Sequence, residues 1–78
     1  MLSNEMMRSI MNEVYNKWFT KYRDADLTNV DTWNNILSEA THIQMQYNTP
    51  FTEGLIMLLI DELHSREIAQ AKLHMNKL

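Results

Sequence analysis

Along the first third of the chain, apolar residues recur at helical spacing. Met7, Met11, Val14, Trp18 and Tyr22 follow one another at intervals of four, three, four and four, with Ile10, Tyr15 and Phe19 beside them. At 100° per residue these positions share one broad face, while Ser9, Asn12, Asn16, Thr20 and Arg23 take the other. The pattern predicts a first helix over residues 4–23. Glu5 near its start and Lys17, Lys21 and Arg23 near its end suit the helix dipole.

The run DADLTNVD (24–31) is turn-forming, with Leu27 and Val30 expected against the core and Thr28 or Asp31 expected to cap the next helix. Trp33, Ile36, Leu37, Ala40, Ile43 and Tyr47 then repeat at helical spacing, which predicts a second helix over 30–47. Asn48-Thr49-Pro50 is strong punctuation. Asn tolerates the left-handed stop of a helix, Thr caps the following one, and Pro suits its first position. No breaker follows, so a third helix is predicted over 50–76, roughly 40 Å long against about 30 and 27 Å for the first two.

This third helix carries two apolar facets. Phe51, Leu55, Leu58, Leu59, Leu63 and Leu73 share one; Ile56, Met57, Ile60, Ile68, Ala71, Met75 and Leu78, with His64 among them, gather on another. The run GLIMLLI (54–60) is where the two overlap. The first two helices offer one apolar face each and end sooner, so part of the second facet is expected to lie bare, and bare apolar stripes mark partner sites. An all-α fold of three helices is therefore expected to dimerise through its long C-terminal helix, with Ile56, Ile60, His64, Ile68, Ala71, Met75 and Leu78 at the interface. The competing arrangement sandwiches the third helix between the other two, with a frayed tail after Lys72.

A length of 78 residues fits one domain, 1–78, able to bury only about 60–65% of its unfolded surface. Self-association is one way for so small a fold to gain stability, and disulfides and thiolate zinc are excluded because the chain has no cysteine. The opening MLSNEMMRSIMNE lacks the basic start and unbroken apolar run of a secretory signal, and no segment approaches the roughly 20 apolar residues of a membrane span. A cytoplasmic protein is expected. Ten acidic against seven basic residues give a net charge of -3, which argues against nucleic acid as a partner despite the small cluster Lys17, Lys21 and Arg23.

Candidate chemistry adds little. Glu39-x-x-His42 and Asp61-x-x-His64 have the spacing of di-iron ligands in helical bundles. However, His42 and Glu39 lie well off the apolar face of the second helix, so two solvated pairs are expected instead. Asp24, Asp26 and Thr28 alternate as in a calcium loop, yet Asn29 and Asn35 stand where such a loop needs Gly and Glu. The second and third helices are close enough to form a helix-turn-helix, but the third begins TPFTEGL, with Thr52 and Glu53 and no basic residue before Arg66. His64 is expected to pack its ring at the interface with one nitrogen wet; the sharper alternative is a contact at which two protonated copies would repel. Trp18, Trp33, Tyr22 and Phe19 read as core anchors.

The function expected is non-catalytic, without cofactor or resident metal. The chain reads as a small helical interaction protein of adaptor or inhibitor type, in the style of bacterial and phage accessory proteins. It is expected to pair with itself and to bind another protein, with Glu53, Asp61, Glu62 and Glu67 as acidic contacts. A DNA-binding regulator and a carboxylate–histidine metal protein are the alternatives.

Overall fold

A computed structural model of the chain describes residues 1–76, apart from the side chains of His74 and Asn76. The described residues are all-helical, with three helical rods and no strand. The first rod, α1, covers residues 4–22. Its Asn4–Met11 portion is α-helical, Asn12–Phe19 winds as a π-helix, and Thr20–Tyr22 returns to α. Helix α2 is Val30–Gln46 and α3 is Pro50–Asn76.

Ser3 starts α1, its hydroxyl accepting the Met6 amide at 3.1 Å. In the π segment each amide reaches back five residues, as Thr20 does to the Tyr15 carbonyl. The wider turn brings positions four and five apart to one side, so Val14, Trp18 and Phe19 all turn inward. The buried line of α1 is Ile10, Val14, Trp18, Phe19 and Tyr22. Met7, Met11 and Tyr15, expected on the buried face, are instead about 40% exposed, because only one edge of that broad face meets the other helices.

The connector is pinned by groups far along the chain. Leu27 is fully buried, its amide donates to Gln70 Oε1 at 2.8 Å, and Gln70 Nε2 returns a bond to the Ala25 carbonyl at 3.0 Å. Trp33 Nε1 donates to the Leu27 carbonyl at 2.7 Å. The cap of α2 is neither Thr28 nor Asp31 but Asn29, whose side chain accepts the Asp31 amide at 2.8 Å. Val30, expected in the core, opens α2 on its outer side and is largely exposed.

Between α2 and α3 the expected punctuation holds in part. Thr49 Oγ1 accepts the Thr52 amide at 3.1 Å and Pro50 is the first residue of α3. The stop of α2 differs: no described residue has a positive φ, and the chain leaves the helix at Tyr47 with φ -123° and ψ 75°. Thr52 is fully buried, and its hydroxyl is satisfied by Thr49 at 2.9 Å.

The core of the chain gathers Ile10, Val14, Trp18, Phe19, Tyr22, Leu27, Ile36, Ala40, Ile43, Ile56 and Leu63. Burying each large side chain contributes about 1.5–3 kcal/mol. Trp18 also ties α1 to α2, its Nε1 donating to the Ile36 carbonyl at 3.1 Å. On α3 the core-facing line runs between the two expected facets: it takes Ile56 from one and Leu63 from the other, with Leu59 and Ile60 half-buried beside them. Leu58 and Leu73, expected inward, are exposed, and Ile56, expected at an interface, is enclosed within its own chain. The molecule is elongated, 51 × 19 × 17 Å, with a radius of gyration of 14.1 Å. A compact chain of this length would measure about 11.5 Å.

Candidate interaction surface

Among the described residues, α3 carries the largest set of uncovered apolar side chains on any one element. Leu58 is 68% exposed, Ile68 56% and Met75 71%, with Met57 and Leu73 similarly bare. Met57, Ile68 and Met75 lie within about 20° of one another around the helix, with Leu58 about 100° to one side and Leu73 about 160° from that line. The helices beneath contact α3 on the opposite side, through Thr52, Ile56 and Leu63. Leucine, isoleucine and methionine are good helix formers or tolerated in helices, so local propensity does not conflict with their exposure.

An apolar groove adjoins this surface where α2 crosses α3. It holds about 250 Å³ and is lined by Leu37, Ala40, Thr41, Gln44, Ile56, Met57 and Ile60, with Glu53 at its rim. Leu37, expected in the core, is half exposed here, and Met45 further along α2 is more so. The signal was present in the sequence: Leu37 lies about 90° from the line through Ile36, Ala40 and Ile43.

The expected interface residues thus divide. Ile68 and Met75 are exposed, Ile60 and Ala71 half-buried, Ile56 enclosed, and Leu78 lies outside the described residues. His64 is exposed at its edge, but Trp33 of the same chain covers its ring face, with centroids 4.3 Å apart and planes inclined by 14°. Its Nδ1 stands 3.4 Å from Glu67 Oε1. The histidine is therefore a packing partner of α2 first. The four acidic residues do not form one patch. Glu53 sits on the groove rim, Asp61 on the outer face, Glu62 pairs with Arg66 at 3.1 Å, and Glu67 faces His64.

A second, charged cleft of about 440 Å³ lies between α1 and α2, lined by Glu13, Lys17, Trp18, Lys21, Ser38, Glu39, His42 and Ile43. Lys17 pairs with Glu13 at 2.8 Å and Lys21 with Glu39 at 2.6 Å, while the Tyr22 hydroxyl donates to the other Glu39 oxygen. Glu39 is thus held against α1 rather than solvated beside His42. Burial pushes its carboxyl up, but the Lys21 and Tyr22 hydrogen bonds and the Lys21 charge outweigh this and hold it below its ordinary 4.5. Burial and the bond to Glu39 push the Tyr22 hydroxyl above 10.0. Hydrogen bonding to Glu13 and to Glu39 raises Lys17 and Lys21 respectively.

These pairings decide what the cleft offers. Both lysines have a carboxylate within reach, so the cleft presents balanced charge rather than a phosphate-binding face. Both Glu39 oxygens are engaged, and among the described residues no three His, Cys, Asp or Glu side chains stand together as metal ligands. Thr52, the neutral group at the start of the would-be recognition helix, is buried. No helix among the described residues is long and apolar enough to cross a membrane.

Sequence reasoning missed Gln70 and Arg66, which fasten the second half of α3 to the connector. Arg66 donates to the Arg23 carbonyl at 3.3 Å and its guanidinium lies 5.3 Å from the Phe19 ring centre. In comparisons with known proteins, no family model, no curated sequence and no solved structure matches the chain.

Proposed function

We propose that the chain is a non-catalytic protein–protein interaction protein of adaptor or inhibitor type, which self-associates as a homodimer through the outer face of α3. The single observation that supports this reading is the exposure by more than half of Met57, Leu58, Ile68, Leu73 and Met75 on one helix. Large apolar side chains left bare along one helix are surface of the kind that partner sites use. The groove beside it suits a second role. Met57 and Met45 are unbranched and polarizable, able to repack around an apolar segment of another protein, and Leu37 and Ile60 supply a firmer floor.

The test is Ile68→Glu. Ile68 makes no part of the core, so the variant is expected to keep its helical circular dichroism and its stability within about 0.5 kcal/mol. Light scattering after size exclusion is expected to show self-association weakened at least about tenfold, the equivalent of 1.4 kcal/mol. Unchanged association would remove the outer face of α3 from the account.

A further inference from the structure

We infer that the occupant of this face is the α3 helix of a second copy, lying antiparallel, in the register that sets Leu58 against the partner's Met75, Asp61 against the partner's Lys72 and Ser65 against the partner's Ile68. This rests on the self-association proposed above and specifies its geometry.

The argument starts from a row of positions. Gly54, Leu58, Asp61, Ser65, Ile68, Lys72 and Met75 follow at intervals of four, three, four, three, four and three, one stripe of the helix whose large apolar members are Leu58, Ile68 and Met75. All seven are exposed, and they cover the side of α3 away from Thr52, Ile56 and Leu63. The row expected from sequence, through His64 and Ala71, is less free: Trp33 covers His64, and Ala71 is half-buried.

Two copies of the exposed row can meet parallel or antiparallel. In a parallel pair in register each residue meets itself, so Asp61 faces the partner's Asp61, Lys72 faces the partner's Lys72, and two serines oppose each other and leave a gap. Turning one helix round and centring the pair between Arg66 and Glu67 changes each layer. Long apolar Leu58 meets long apolar Met75, acid meets base, and small Ser65 meets bulky Ile68. A two-fold axis repeats every layer, giving six over a seam about 26 Å long. Neither Asp61 nor Lys72 forms an ion pair with any described residue of its own chain, a condition they share with Glu5, Asp31 and Glu53. Both charges of the stripe are therefore free to pair across it with a second copy. Like charges directly opposed are destabilising and opposite charges stabilising, so the pattern selects one orientation as well as permitting contact.

The absence of native cysteine makes the test direct. Leu58→Cys and Met75→Cys place single thiols at exposed positions of the full chain. Under mild oxidation, a mixture of the two variants is expected to form a disulfide-linked dimer, while either variant alone is not, because like positions would stand about 26 Å apart. Self-linking of either variant alone would overturn the antiparallel orientation. A dimer by sedimentation that links in neither experiment would overturn the register. A chain that is monomeric throughout would instead remove the proposed self-association itself. A charge exchange supplies a second measurement that needs no cross-link. Asp61→Lys and Lys72→Asp are each expected to raise the dimer dissociation constant about tenfold, and the double variant to return to within about threefold of the parent. Additive losses in the double variant would contradict the pairing.

Discussion

Glu39 shows how one side chain changes the meaning of its neighbours. As the first member of a Glu-x-x-His unit it invites a metal, but Lys21 and Tyr22 claim its two oxygens and turn it into a clasp between α1 and α2. Its carboxyl is depressed when folded, so the stability it contributes is present above its unfolded value, near 4.5, and is lost as pH falls through the lower folded value. Tyr22 and Lys21 are both raised, so their contributions are present below their unfolded values and fade only as pH climbs through the alkaline range. Denaturant midpoints measured from pH 7 downward should therefore fall on acidification below about 4.5, and Glu39→Gln should flatten part of that fall. An identical acid slope in the variant would show that the clasp contributes nothing. The exposure of both Lys21 and Glu39 keeps the effect small, since solvent screens such pairs.

At the scale of the helix, the two sides of α3 differ, one buried against the other helices and one exposed. Its inner line closes the core, and Gln70 and Arg66 hold its second half to the connector. Gly54 lies on the exposed side, has no positive φ, and a methyl group placed there would meet nothing within 4 Å. Gly54→Ala should raise stability by about 1 kcal/mol on helix propensity alone. It should leave self-association unchanged, because Gly54 lies beyond the last layer of the inferred seam. Thermal and urea unfolding check the first statement and sedimentation the second; a destabilised variant would mean that something approaches this backbone closely.

Helix number, order and approximate bounds were legible because the 3.6-residue period and the Thr49-Pro50 start are local signals. The division of α3 was legible only as an excess of apolar surface. Which side turns inward depends on where α1 and α2 cross it, a fact of packing that moved Ile56 into the core and Leu58 and Leu73 out of it. The π segment was also beyond reach, and with it the reason that Trp18 and Phe19 both point inward. The Asn29 cap and the Gln70 clasp depend on loop geometry and on contacts more than forty residues apart.

The whole molecule is a short rod in which a 27-residue helix outlasts the two that pack on it. Eleven buried apolar residues among those described make a small core for holding such a shape alone, and covering the exposed apolar residues of α3 would remove a large remaining apolar cost. The net charge of -3 would oppose association only weakly at ordinary ionic strength, and the inferred pairing of Asp61 with the partner's Lys72 would make it mildly salt-sensitive. The decisive measurement is sedimentation equilibrium of the unmodified chain over a wide concentration range at neutral pH. Self-association predicts a weight-average mass rising from the 9.3 kDa of one chain toward twice that value and stopping there. A mass that stays at one chain up to millimolar concentration would contradict it.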